Sequence, residues 1–386
     1  MTAAIHPEEI SAKRLRDRLD GDDSFTLVDT REAESFEEWR IPGSRQFFYK
    51  PDHEFDADGF RRQLGVAPDD SIVTICAKGK ASRFLADELA AAGYRDVQYV
   101  DGGMRAWSAV YDAIDVPTPG PATVVALRRR AKGCLGYLVA DPETGDAAVI
   151  DATRHTAEFR AVAAERDWTI CRVLDTHVHA DHVSGGPELA AELGVPYHLG
   201  ERASDRNVTH DYVPLERNEV VSVGAVDIKA VSTPGHTSEM VSYLIGREAI
   251  CTGDTAFLDS VGRTELQFGD ADAASGAEML YDSLHGTVLA EPDDIVVLPG
   301  HFDVSTQDTD GGSSDRRVST TVGELRRGTP VLQLDRAAFV DRIVGSAVEK
   351  PPNYERIIDI NRGHSAPGDE TEAIELELGP NRCAAE

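Results

Sequence analysis

Short apolar runs alternate along this chain with stretches whose hydrophobic positions recur every three to four residues. Phe25–Val28, Ser71–Ile75 and Val97–Val100 have the length and β-branched content of buried strands. Between the last two, Ala81–Ala92 sets Phe84, Leu85 and Leu89 at helical spacing and stops at Gly93. That alternation predicts a small parallel-sheet α/β domain over residues 8–115. Pro117, Pro119 and Pro121 then predict a stiff, extended linker over 116–121. A second block restarts at 122 with strands expected at Thr123–Leu127, Cys134–Ala140, Ala147–Ile150, Cys171–Leu174, Val226–Val231, Val241–Ile245 and Ile295–Leu298. Interleaved helical patterns make it a layered α/β domain reaching residue 363. Beyond Gly363 the chain is acidic and aperiodic, and 364–386 reads as a mobile tail. Asp308–Gly312 faintly resembles a calcium loop but lacks its terminal glutamate, so a surface loop is the reading there.

Composition narrows the partners. The 386 residues carry a net charge of −29, and only 7 of the 39 basic residues are lysine. Such a surface repels phosphate backbones and anionic lipids, which argues against nucleic acid or a membrane as partner. High acidity with scarce lysine fits a protein of a salt-loving organism. No apolar run is long enough for a membrane span, and the charged first residues lack a secretory core, so a cytoplasmic protein is expected. The five cysteines form no CxxC pair and no disulfide framework, which fits a reducing compartment with thiols free for chemistry.

Two places concentrate chemistry. Cys76 ends an apolar strand, and Ala77-Lys78-Gly79-Lys80-Ala81-Ser82 leads straight into a helix. Backbone N–H groups of a loop at a helix start stabilise an anion, and Lys78 and Lys80 add positive charge, which suits a thiolate or persulfide. Gly79 and Ser82 complete the expected sulfur-binding loop. The second place begins at Thr176-His177-Val178-His179-Ala180-Asp181-His182, directly after a strand. Three imidazoles and a carboxylate this close repel and desolvate one another unless a cation organises them. His236 in Thr233–Thr237, Asp254 after Cys251-Thr252-Gly253, and His301 after Leu298-Pro299-Gly300 each follow an apolar strand as well. Ligands gather at that edge in α/β sites.

The first set of motifs resembles the rhodanese family over about residues 8–112, with Leu27–Arg31, Glu38–Ser44 and Asp101–Trp107 as supporting marks. The resemblance implies sulfane-sulfur transfer through Cys76. Ala81 stands where thiosulfate-using members often carry arginine or threonine, which leads away from thiosulfate as donor. The second set resembles the metallo-β-lactamase superfamily over roughly 122–305, implying an αββα sandwich. Two-zinc hydrolases of that superfamily, such as glyoxalase II, would use His177, His179 and His236 for one metal, Asp181, His182 and His301 for the other, and Asp254 as bridge. Asp181 would there help orient the attacking hydroxide. Gly262-Arg263-Thr264-Glu265-Leu266-Gln267, the rhodanese-like neighbour and Lys350–Gly363 point instead to the persulfide dioxygenase branch. That resemblance implies a single Fe(II) on His177, His236 and Asp254, with Arg263 either anchoring a substrate carboxylate or bridging to its own loop. It further implies oxidation of a low-molecular-weight thiol persulfide by O₂ to sulfite, sulfur transfer at Cys76 that can yield thiosulfate, and a homodimer. A two-zinc thioester hydrolase, and a non-catalytic module relaying sulfur to a partner protein, remain alternatives.

Overall fold

The computed structural model describes residues 6–302, 304, 317–346 and 350–385; the loop Asp308–Gly312 lies outside them. The first block folds around an all-parallel five-stranded sheet, ordered Glu8–Ile10, Asp96–Val100, Ser71–Ile75, Thr26–Asp29, Arg45–Gln46. Helices cover both faces. On one side Leu15, Ile75, Met104 and Trp107 pack together, and on the other Phe60, Leu85, Leu89 and Tyr94. The helix Lys80–Ala91 buries Leu85 and Leu89 as its spacing predicts, whereas Phe84 is 44% exposed on its outer face. Phe84 is adjacent to Leu85, and neighbours in sequence point about 100° apart on a helix.

The second block is a sandwich of two sheets. Seven strands run from Val213–Leu215 through Tyr197–Gly200, Thr169–Leu174, Asp146–Ile150, Leu135–Ala140 and Thr123–Arg129 to Tyr111–Val116. The facing six-stranded sheet is built on Val226–Ser232, Val241–Ile245, Ala249–Gly253 and Val296–Pro299. Period-two alternation decides which side chains meet between the sheets. Val124 and Ala126 join Tyr137, Ile228 and Tyr243 in the inter-sheet core, while Val125 and Leu127 face outward to Phe159 and Leu189. Leu280 and Leu284, from the helix Glu265–Gly286, cover the other sheet. The architecture is therefore α/β throughout, a parallel-sheet domain followed by an αββα sandwich.

Two expectations need correction. The proline-rich 117–121 does not separate domains. Tyr111–Val116 pairs antiparallel with Thr123–Arg129, so the prolines form the turn of a hairpin inside the seven-stranded sheet. Glu248 pins that turn, accepting from Thr118 Oγ1 at 3.0 Å and from the Ala122 amide at 3.1 Å. Proline is tolerated because an edge-hairpin turn needs few of its amides for the ladder. Nor is the C-terminal segment a loose tail. Glu370–Leu376 is a helix, and Leu376, Glu377 and Cys383 are buried. Ala384–Ala385 pairs with Val261–Gly262. Few apolar residues anchor the segment, and its grip is polar: Glu377 forms ion pairs with Arg129 and Arg154 at 2.9 Å each. Hydrophobic periodicity cannot register such contacts. No helix of the described residues is long and apolar enough to cross a membrane.

Candidate metal centre and sulfur-transfer loop

Four loops, each leaving the C-terminal end of a sandwich strand, converge on one buried point. Thr169–Leu174 leads to His177, His179, Asp181 and His182; Val226–Ser232 leads to His236; Ala249–Gly253 ends at Asp254; Val296–Pro299 leads to His301. Two fully buried tyrosines of the inter-sheet core hold these loops, Tyr137 donating to the Pro299 carbonyl at 2.6 Å and Tyr243 to the Asp175 carbonyl at 2.8 Å. Gly262 and Gly300 let backbone approach Asp254. A Cβ on Gly262 would lie 2.0 Å from the Asp254 carbonyl oxygen, and one on Gly300 would lie 2.5 Å from Asp254 Oδ1. The packed sheets thus fix the position of the site.

Within it the seven expected ligands divide into distinct groups. His236 Nδ1 donates to the Arg263 carbonyl at 2.6 Å, and His177 Nδ1 lies 2.9 Å from Thr176 Oγ1. Each ring is thereby held with Nε2 towards Asp254 Oδ2, at 3.5 Å from His236 and 3.9 Å from His177. A second-ring-nitrogen hydrogen bond of this kind orients metal-binding histidines. His177 Nε2 and Asp254 Oδ2 are buried without a hydrogen-bond partner. Orphaned buried donors and acceptors are costly, and a cation among these atoms satisfies them. The residues present therefore fit a metal ion.

Asp181, His182 and His301 contact one another, although His182 Nε2, like His177 Nε2, is buried without a partner. His301 lies between two carboxylates, Nδ1 at 2.8 Å from Asp254 Oδ1 and Nε2 at 2.9 Å from Asp181 Oδ2. His182 Nδ1 is 3.0 Å from Asp181 Oδ1, and Cys134 Sγ is 3.0 Å from Asp181 Oδ2. Burial alone would neutralise His301 and His182, but the adjoining carboxylates hold both well above the ordinary imidazole range. His177 goes the other way, pushed well below that range by burial and by His179. His179 lies between the two groups, its ring 4.3 Å from those of His177 and His182; its Nε2 is 3.3 Å from Asp151 Oδ1, and neither ring nitrogen is hydrogen-bonded.

Several residues here escaped the sequence reading. Asn361 clamps the histidine loop, its Nδ2 donating to the His179 and His182 carbonyls at 2.9 and 2.8 Å while its Oδ1 accepts from Ser184 N at 2.8 Å. Glu239 accepts from the Val178 amide at 3.1 Å. Cys134 and Cys383 stand beside the metal ligands, Cys383 in a buried group with Asp254 and His301. None has a local motif, and only the folded chain brings them in. Arg263, considered as a carboxylate anchor, is 2% exposed; its guanidinium pairs with Glu265 and donates to the Arg382 carbonyl at 3.0 Å. Both contacts tie its guanidinium to its own loop and to the C-terminal segment.

The other centre is compact. Cys76 follows Ser71–Ile75, and Gly79, at φ +86°, starts the helix Lys80–Ala91. Ser82 Oγ is placed to donate either to Cys76 Sγ at 3.4 Å or to the Gly79 carbonyl at 3.0 Å. Gly103 backs the loop so closely that a Cβ there would lie 2.0 Å from the Cys76 carbonyl oxygen. Lys78 and Lys80 are exposed, and Lys78 Nζ is 4.0 Å from Glu375 of the C-terminal helix.

Comparison with known proteins agrees with both halves. Residues 11–110 match the rhodanese-like domain and residues 129–301 the metallo-beta-lactamase superfamily. The hydroxyacylglutathione hydrolase of a Methylobacterium species is 30% identical over 240 residues, which cover 56% of this chain and 89% of that one. The chain belongs to the metallo-beta-lactamase superfamily. Its superfamily domain is preceded by a rhodanese-like domain. Among solved structures, ETHE1 from Myxococcus xanthus superposes with a TM-score of 0.54 at 27% identity, covering 62% of this chain and 97% of that one. A Staphylococcus aureus metallo-beta-lactamase gives 0.56 at 23% identity, covering 63% and 73%, a likeness of fold. Proteins of this superfamily fold bind metal ions, in agreement with the unpaired donors at His177 and Asp254.

Proposed function

We propose that the chain is a persulfide dioxygenase that holds one Fe(II) on His177, His236 and Asp254, with a sulfurtransferase site at Cys76. The observation that carries the reading is the convergence of His177 and His236 on the unpartnered Asp254 Oδ2. Two Nε2 atoms and Asp254 Oδ2 face one another, while both nitrogens of His301 already lie against carboxylates. Two histidines and one carboxylate form the facial set that leaves adjacent positions free on iron. Iron bound there would supply the oxygen-activating chemistry that oxidation of a sulfane sulfur to sulfite requires. The likeness to ETHE1 across nearly its whole length supports the same branch.

The chain's own groups set the conditions. Thr176 and the Arg263 carbonyl fix the two ligand rings. His301 carries a proton between Asp254 and Asp181, which neutralises charge beside the ligand carboxylate. Every ligand side chain is nearly dry, a setting in which electrostatic contacts act at full strength. In the other domain Ser82 hydrogen-bonds the Cys76 sulfur, and the loop accepts or delivers sulfane sulfur by persulfide exchange with a small thiol.

A second reading, a two-zinc thioester hydrolase, draws on the hydroxyacylglutathione hydrolase similarity and on the presence of Asp181, His182 and His301. Oxygen uptake on a small-thiol persulfide separates the two. Uptake that disappears in His236→Ala and survives in Cys76→Ala is the expected result; thioester hydrolysis without oxygen uptake would overturn the proposal.

A further inference from the structure

Two cations beside the sulfur loop meet at one carboxylate. Lys78 follows Cys76 by two residues, and its Nζ lies 4.0 Å from Glu375 Oε1, the same oxygen that pairs with the Arg105 guanidinium. Arg105 sits in the helix Gly103–Trp107, which backs the loop directly. Its amide donates to the Ala77 carbonyl at 3.2 Å, and the Met104 amide donates to the Cys76 carbonyl at 2.8 Å. The guanidinium itself is only partly committed, since Arg105 Nε is buried without a hydrogen-bond partner. Arg31 of the same domain contrasts with it, bound to Asp29 Oδ2 at 2.7 Å and to the Trp39 carbonyl at 2.5 Å.

The carboxylate comes from the far end of the chain. Glu375 lies in the helix Glu370–Leu376, where Leu376 is buried and the next residue, Glu377, pairs with Arg129 and Arg154 and accepts from the Val183 amide at 2.8 Å. These contacts fix the backbone beside Glu375, while its own side chain is 49% exposed. An ion pair in contact with water is weak, so another anion can replace this carboxylate without moving the helix.

We propose that Lys78 and Arg105 form an anion subsite of the Cys76 loop, that its ligand is the carboxylate of a small-thiol persulfide, and that Glu375 fills it as an internal stand-in. The inference rests on sulfur transfer at Cys76 and is independent of the metal at the other centre. Glu375 presents a carboxylate on a flexible stem, the same group that a carboxylate-bearing thiol offers. Arginine holds such a group through directed, charge-assisted hydrogen bonds. A chain of net charge −29 repels an anionic substrate, and a local pair of cations offsets that repulsion beside the nucleophile. The transfer is an exchange: the Cys76 thiolate attacks the outer sulfur of R–S–SH, the old S–S bond breaks, and R–SH leaves with the proton as Cys76–S–S⁻ forms. Neither an oxidant nor a reductant is needed. Glu375 competes with the incoming carboxylate and thereby sets how strongly the loop selects anionic donors.

The test compares two donors on the full chain under anaerobic conditions, the persulfides of 3-mercaptopropionate and 3-mercaptopropanol, which differ in ending on a carboxylate or a hydroxyl. Cyanide is the common acceptor, thiocyanate is read, and Cys76→Ala supplies the background. The wild type should prefer the carboxylate donor by about tenfold in kcat/KM, with the difference in KM. Glu375→Gln should widen that preference by about threefold, and Arg105→Gln should bring it close to one. The hydroxyl donor, run on the same samples, reports whether each variant is folded. Should Arg105→Gln fail to fold, a reduced preference in the exposed Lys78→Gln together with the gain in Glu375→Gln carries the inference. Equal kcat/KM for the two donors in the wild type, or a preference that Glu375→Gln and Lys78→Gln leave unaltered, overturns it and leaves sulfur transfer at Cys76 standing. Absence of Cys76-dependent transfer from either donor overturns both.

Discussion

The two chemical centres of this chain are built in opposite ways. Cys76 belongs to one continuous stretch in which strand end, loop and helix start follow within seven residues, so local backbone geometry makes nearly all of the site. The candidate metal centre takes its groups from four loops that follow strands far apart in sequence, and only the packed sandwich brings them together. A site made by local geometry tolerates change elsewhere in the molecule. One made by convergence depends on every element that holds a loop.

That contrast sets the order of expected effects. The largest is functional: His236→Ala should reduce persulfide-dependent oxygen uptake by at least about a hundredfold, while Cys76→Ala leaves uptake intact and abolishes sulfur transfer. Next comes stability. Glu377→Gln removes the partner of the fully buried Arg129, and an uncompensated buried charge costs about 3–5 kcal/mol, readable in denaturant unfolding. If Glu377→Gln unfolds no more easily than wild type, the C-terminal segment is not a structural part of the site.

The same pair gives a pH dependence. Burial would raise the Glu377 carboxyl, but the Arg129 and Arg154 charges outweigh it and lower it from 4.5 to about 2. A depressed carboxyl stabilises the fold above its unfolded value and loses that contribution as pH falls through the folded one. Wild-type unfolding temperature should therefore drop between about pH 4.5 and 2, a shift corresponding to roughly 3 kcal/mol. In Glu377→Gln this part of the dependence should be missing. A smaller effect belongs to the local site, where Ser82→Ala removes one hydrogen bond to Cys76 and should slow sulfur transfer about fivefold. The smallest is Glu375→Gln, which breaks a half-exposed contact to Lys78 and should change stability by less than about 1 kcal/mol.

The contrast also explains what could be read from the amino-acid order. Strands with sustained apolar runs, such as Ser71–Ile75 and Val241–Ile245, appear at the positions their patterns predict, because burial on both faces leaves a direct compositional trace. His177, His236, Asp254 and His301 were legible because each follows such a strand. Asn361, Glu239 and Cys383 were not, since each comes to the site across a long stretch of chain, the first two through hydrogen bonds to the histidine loop and Cys383 by lying near Asp254 and His301. The proline-rich turn misled because three prolines imply stiffness equally well in a linker and in a hairpin. The C-terminal segment misled because ion pairs and backbone pairing, rather than an apolar face, secure it.

The proposal stands or falls on what the converged donors hold and what they then do. Metal content and oxygen uptake, measured together on anaerobically prepared protein given a small-thiol persulfide, test it most directly. The account predicts one iron per chain and oxygen consumed as sulfite forms. Two zincs per chain, with thioester cleavage and no oxygen consumption, would contradict it.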